Sequence, residues 1–276
     1  MVHIANRALA FKIFLLPSLA SHLHSCSFTV MDQISILAAS GLRARMESLD
    51  LLANNLANTG TNGYKNDVEF YTLFADESSD PGELGVPTTE PMIDRHWTDF
   101  SQGPLQPTNN QLDLALDGKG FFTVTGASGP LYTRNGSFKV SPQGDLVTLE
   151  GYPLTEVAGG KIQLDPALPV QVASDGTVNQ AGQAVGQLLI VDFPDRTPLM
   201  KQGSNYYRNA DPDVKPKAVP DTEVKQGAVE TSNVKAPESA VHLIGILRQF
   251  EMLQKAINIA GEMNKQSIEQ VAKVGQ

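Results

Sequence analysis

Cysteine is almost missing from this sequence. Cys26 is the only one in 276 residues, so no intrachain disulfide can form, and no Cys/His spacing suited to a metal exists. Histidine is also scarce. Of five, His3, His22 and His24 precede residue 31, which leaves His96 and His242 for the rest of the chain. His96, beside Trp97, reads as a connector residue, and His242 as a polar position on a helix. There is no HExxH, no GxSxG and no phosphate-binding loop. "DGKGFF" (117–122) lacks the following Ser/Thr and helix, so it reads as a turn. Asp113 and Asp117 share a strand face, but nothing pairs them with a pocket, and they read as solvated carboxylates. No nucleophile–base set is visible, which argues against an enzyme and against any cofactor or small-molecule substrate. Charged residues are only 18%, with a net charge of −9. An acidic balance over the whole chain disfavours nucleic acid and anionic membrane surfaces as partners. No apolar run is long enough to span a bilayer.

What is present falls into three kinds of sequence. Residues 1–30 carry Arg7 and Lys12 before the apolar run "IFLLPSLA" (13–20), a passable secretory leader with a proline inside it. The other reading is a mis-annotated start, with Met31 as the first residue. Residues 32–58 read as a helix, with Ala39, Leu42, Met46, Leu49, Ala53 and Leu56 spaced alternately by three and four. This is a heptad seam, stopped by Gly60 and Asn62-Gly63. After Pro237 the same spacing returns in Leu243, Ile246, Phe250, Leu253, Ile257 and Ala260. Asn264 and Ser267 interrupt the later part of that seam, which is expected to fray or to need a partner.

The middle of the chain is rich in turns. "LDLALDGKGFFTV" reads as strand, turn, strand. In "LYTRNGSFKV" the pair Asn135-Gly136 reads as a hairpin turn, and this role takes precedence over its formal match to a glycosylation sequon. "SPQGD" (141–145), "EGYP" (150–153) and "SDGT" (174–177) are further turns, and "QLLIVDF" (187–193) is a strand. Short strands with turns every 8–12 residues indicate an antiparallel β domain. The resulting fold class is α+β: terminal helices, pairing as a coiled-coil-like module, flank a central all-β domain. The expected divisions are a leader at 1–30, the first helix and loop at 31–74, a linker at 75–94, the β domain at 95–208, a return linker at 209–236 and the second helix at 237–276.

"ANNLANTGTNGYK" (53–65) is the oddest stretch. Asn54, Asn55 and Asn58 are poor helix formers crowded onto a helix with a leucine stripe. Asn55 and Asn58 share a face off the seam. They are either solvated or bonded laterally to neighbouring helices, and spacing alone supports both. The stretch "MDQISILAASGLRARMESLDLLANNLANTGTNGYKND" (31–67) resembles the N-terminal signature of flagellar axial proteins, the rod, hook and hook-associated subunits. "LDLALDGKGFFTV", "YTRNGSFKVSPQGDLVTLEGYPL" and "GAVETSNVKAPESAVHLIGILRQFEMLQKAI" (227–257) are similar to three further blocks of that family, so the likeness covers nearly all of 31–276.

The resemblance implies a structural subunit of the basal-body rod, in the periplasm-spanning part of the bacterial flagellum. It would assemble helically through its terminal helices into a torque-transmitting shaft around an export channel. Implied partners are further copies of itself, neighbouring rod proteins and the flagellar type III export apparatus. The length from Met31 suits a rod subunit better than a hook subunit with extra domains, and "RQFEM" (248–252) looks more like a proximal-rod subunit than a distal one. The implied assembly interface is Leu42, Met46, Leu49, Ala53, Asn55, Leu56, Asn58, Leu243, Ile246, Phe250, Leu253, Ile257 and Ala260, and the family likeness favours the lateral reading of the amides. The alternative class is a secreted β-domain binding or adhesion protein with coiled-coil ends.

Overall fold

The computed structural model describes residues 39–75, 89–203, 205–219 and 221–274. The expectations about the leader, and about the first turns of the N-terminal helix, lie outside the described residues. Helix α1 covers 39–57, and α2 runs without interruption over Ala236–Val274. Pro237 occupies the first turn of α2, where its missing N–H costs no hydrogen bond, with Glu238 beside it to complement the helix dipole. The Asn264/Ser267 interruption does not end the helix. Among the described residues no helix is long and apolar enough to cross a membrane.

Among the described residues, seventeen strands lie between the helices, most of them short. They follow from the alternation and turn chemistry of the sequence. The largest sheet has six strands, in the order Leu199–Lys201, Tyr206–Asn209, Gly129–Thr133, Phe121–Gly126, Ile190–Asp192 and Lys217–Ala218. A three-stranded sheet runs Gln183–Gln187, Thr177–Gln180, Val170–Val172. Strand Phe121–Gly126 separates two cores because its side chains alternate. Phe122 and Val124 join a large cluster with Leu114, Leu116 and Phe138, while Phe121 joins Phe100, Tyr132, Phe193 and Tyr207 on the other side. Edge-to-face ring pairs such as Phe122–Phe138 (5.2 Å) and Tyr132–Phe193 (4.8 Å) add orientation to the burial.

The chain forms two compact units. Among the described residues one takes 39–49, 71–75, 89–94 and 244–274; the other takes 50–70 and 95–243. In the first unit, a methyl group placed on Gly41 would stand 3.7 Å from Cδ1 of Leu253. The second unit holds the last turns of α1, the β domain and the first turns of α2.

Four details differ from the sequence reading. Asn135-Gly136 is not a hairpin turn. Gly129–Thr133 pairs with Phe121–Gly126, whereas Phe138–Val140 pairs with Leu146–Thr148. The dipeptide instead crosses between sheets, and it is tight there: a Cβ on Gly136 would lie 1.6 Å from the Leu114 carbonyl oxygen. The return linker is largely β domain, since Glu223–Gln226 pairs with Leu114–Asp117 and Ala228–Glu230 with Leu105–Pro107. Its prolines end at residue 220, and Val224 and Val229 beyond them are buried. The outgoing linker begins and ends in strands, Asp67–Ala75 and Thr89–Thr98, which pair with each other. Finally, Asp113 is buried and accepts from Asn110 Nδ2 at 3.2 Å, so only Asp117 resembles a surface carboxylate.

Candidate functional site

The loop after α1 is tightly built into the second unit. The helix ends at residue 57, and Asn58 Nδ2 folds back onto the Asn54 carbonyl at 2.9 Å. Thr61 Oγ1 then donates to Asn58 Oδ1 at 3.2 Å. Gly63 takes φ = 69°, the left-handed region open to glycine. Its N–H donates to the Glu230 carbonyl at 2.7 Å, and a Cβ there would lie 2.3 Å from Asn135 N. The loop therefore lies backbone to backbone on the 134–135 crossing. Asn62 Nδ2 reaches Ser137 Oγ at 3.3 Å, and Asn205 Nδ2 donates to the Asn62 carbonyl at 2.9 Å.

Asn55 is 2% exposed, and both ends of its amide are used inside the chain. Oδ1 accepts from the Tyr64 hydroxyl (2.9 Å) and from Asp67 N (3.1 Å), while Nδ2 donates to the Asp67 carbonyl (2.8 Å). The amide pairs with Asp67 as a neighbouring strand would. The lateral contact expected for Asn55 is thus replaced here by an internal one. Asn58 is half-buried and its bonds are likewise local. Asn233, just before α2, plays a matching part: Oδ1 accepts from Asn66 N at 2.7 Å, and Nδ2 donates to the Asp99 carbonyl at 2.9 Å.

Beneath the loop lies a cluster of buried charges. The Lys65 and Glu230 side chains are fully buried, and that of Arg134 is 3% exposed. Lys65 Nζ donates to Glu230 Oε1 (2.5 Å) and to the Ser101 carbonyl (2.5 Å). Arg134 Nη1 donates to Glu230 Oε2 (2.9 Å), and Nη2 to the Gly118 carbonyl (2.7 Å). Gly103 N–H completes the shell of Glu230 Oε1 at 2.9 Å. Burial pulls the Lys65 ammonium below its ordinary pKa, against the pull of Glu230, which favours the charged form. Burial lowers Arg134 in the same way. Lys201 caps the arrangement, donating to the Lys65 carbonyl and to Asp67 Oδ2, both at 2.7 Å, with its Nζ 4.2 Å from the Tyr64 ring centre. Burial, with Asp67 nearby, pushes the Tyr64 phenol up to about 12.

The helices present a different surface. The buried side of α1 is Ala44, Ser48, Leu52 and Asn55, not the heptad seam. Of the seam, Leu42, Leu49 and Leu56 are half-buried, Ala53 is exposed and Met46 is 52% exposed. On α2 the seam is the inner side: Ile246 and Ala260 are buried, and Leu243, Phe250, Leu253 and Ile257 are half-buried. On its flanks Val241, Ile244, Leu247, Met252, Ile259, Met263 and Ile268 all stand exposed. Among the described residues no group of three or more His, Cys, Asp and Glu is arranged to hold a metal ion.

The sequence reading assigned no role to Lys65, Arg134, Glu230 or Asn233. Lys65 and Glu230 are 165 positions apart, and pairing at that distance leaves no periodic trace. The nearest available signal was a glutamate directly after the apolar pair Ala228-Val229, a charge at the end of a short strand.

Helices with unpartnered apolar rows, riveted at one end to a β domain, define a structural assembly subunit. Comparison with known proteins agrees. Residues 115–180 match the family model described as the flagellar hook protein FlgE/F/G D1 domain, and 225–270 match the flagellar basal body rod FlgEFG protein C-terminal model. The chain is 34% identical over 247 residues to the flagellar basal-body rod protein FlgF of Caulobacter vibrioides, covering 88% of this chain and 100% of that relative. It is 31% identical over 252 residues to FlgG of Buchnera aphidicola, covering 82% and 95%. Against FlgG of Bacillus subtilis the identity is 30% over 249 residues, covering 81% and 93%. The chain belongs to the flagellar basal-body rod protein family. It is a non-enzymatic structural subunit located in the basal-body rod, where it assembles with other rod components. None of these relatives is a secreted adhesin.

Proposed function

We propose that this subunit builds the rod through its terminal helices, pairing α1 and α2 as a coiled-coil-like module and offering the remaining apolar rows to neighbouring subunits. The observation that carries this reading is the surface of α2. Seven large apolar side chains stand exposed along one 39-residue helix, far more than an isolated soluble helix needs. The seam of α1, half-buried at Leu42, Leu49 and Leu56 and exposed at Met46 and Ala53, is the complementary surface, and the approach of Gly41 to Leu253 supports the pairing. Contacts of this kind that repeat without closing a ring generate a helical shaft, which would carry torque and enclose an export channel.

The proposed partners are further copies of the chain, adjoining rod subunits and, on the way out of the cell, the type III export apparatus. A place in the proximal rod is supported by the "RQFEM" stretch (248–252) and by the FlgF match over that relative's whole length. Met46→Asp and Met252→Asp test the reading, because both side chains are more than half exposed and their loss leaves the subunit's own core intact. The variants should unfold at the wild-type temperature yet fail to restore rods or swimming in a strain lacking the subunit. Rods of normal yield from either variant would refute it.

A further inference from the structure

Going beyond the rod-building role, we propose that Glu230 is a conformational keystone: the loop that ends α1 docks on the β domain only after the strand that leads into α2 has paired, because the Glu230 carboxylate is what allows Lys65 and Arg134 to be buried together.

The geometry supplies three links. Glu230 sits on the strand Ala228–Glu230, whose register with Leu105–Pro107 fixes where the carboxylate points. That carboxylate divides its oxygens, Oε1 to Lys65 and Gly103 N–H, Oε2 to Arg134. Its backbone carbonyl accepts the Gly63 N–H. One residue thus holds the 63–65 loop by main chain and side chain at once.

Without Glu230 the docked loop would place an ammonium and a guanidinium side by side, both all but out of solvent, with carbonyl oxygens as their remaining partners. Removing one member of a buried charged cluster is strongly unfavourable, because the remaining charge is left uncompensated. Leaving Lys65 in water is the better option for the chain, so the loop stays undocked. Arg134 has a second support in the Gly118 carbonyl and is part of the β domain itself. The conditional element is therefore the α1 side. The positions joined are 165 and 96 residues from Glu230, so attachment of the α1 end waits for almost the whole chain. Asn233, three residues on, then closes the same junction through Asn66 and Asp99. The α2 side is fixed first, by the pairing of its strand and by the Asn233 bonds to the Asp99 and Ser101 carbonyls, and the α1 end attaches to it.

The test is hydrogen exchange of the full chain, read by mass spectrometry on peptides. In Glu230→Gln, peptides over 58–66 and 231–235 should exchange ~10²-fold faster or more, from the cost of breaking a buried pair. Peptides over 121–126 and 206–209 should keep wild-type protection within about threefold, the scatter expected between independent sites. Lys65→Met is the second variant, and it keeps the Glu230–Arg134 pair. It should loosen 58–66 alone and leave 231–235 protected. Unchanged exchange at 58–66 in Glu230→Gln would overturn the proposal. So would an equal rise over 121–126, which would make Glu230 a general stabiliser, or a symmetric rise at both junctions in Lys65→Met. Should Glu230→Gln fail to fold, the asymmetry in Lys65→Met decides the question.

Discussion

Gly60 and Gly63 stand three residues apart in one loop, yet alanine should have opposite consequences at the two sites. At Gly63 the backbone is left-handed (φ = 69°), which for an alanine costs about 1–2 kcal/mol. The added methyl would lie 2.3 Å from Asn135 N and 2.4 Å from the Arg134 carbonyl carbon, more than an ångström inside normal contact and against backbone that cannot rotate away. Overpacking of this kind costs roughly 1–3 kcal/mol. The total of about 2–5 kcal/mol is a large share of the stability of an ordinary domain. For a unit of this size it corresponds to roughly 5–15 °C in Tm. At Gly60 a methyl meets nothing within 4 Å and φ is not positive, so Gly60→Ala should stay within about 0.5 kcal/mol of wild type. The assay is paired thermal and urea unfolding of both variants, with hydrogen exchange over 58–66 to detect local release of the loop. Equal effects of the two substitutions would refute the docking geometry. So would a Gly63→Ala protein of wild-type stability that keeps its loop protected.

Two further outcomes follow from the same junction. Asn55→Leu removes three hydrogen bonds and leaves the Asp67 N–H and carbonyl without that partner, so it should cost about 2–3 kcal/mol in urea unfolding. Asn58→Ala, at a half-buried site with local bonds, should cost under about 1 kcal/mol. Tyr64, Tyr132, Tyr206 and Tyr207 are all raised above the ordinary phenol value, in each case mainly by burial. A raised folded-state pKa gives stability that is complete below the unfolded value near 10. That stability is lost as pH climbs through the folded value, about 12 for Tyr64. Stability should therefore fall with rising pH above about 10, and these phenols should ionise together with unfolding when absorbance at high pH is followed beside circular dichroism. Ionisation of these four tyrosines near pH 10 in a still-folded protein would contradict the burial.

Much of this protein was legible along the chain because its signals are local. Three-and-four spacing marks α2, and Pro237 marks its start. Gly144 and Gly176 sit at positive φ in turns that "SPQGD" and "SDGT" announce, and the alternation in "FFTV" divides two cores. The same local reasoning misjudged Asn135-Gly136. An Asn-Gly between apolar runs encodes a reversal only if those runs pair with each other, and each of these pairs elsewhere. The leucine seam of α1 was legible as an apolar row. Which row faces inward was not, because Gly41, Ala44 and Ser48 are small, and small residues gain their meaning from what approaches them. Spacing likewise left the asparagines open, and the fold turned Asn55 inward to pair with Asp67.

The sequence by itself therefore determined the element types, most of the β domain's turns and the family likeness, all of which rest on residues close together in the chain. Only the tertiary structure decided that Lys65, Arg134 and Glu230 form one buried cluster. Burying two cations is favourable only where a distant strand delivers a carboxylate to within hydrogen-bond reach, and that coincidence is a property of the folded chain.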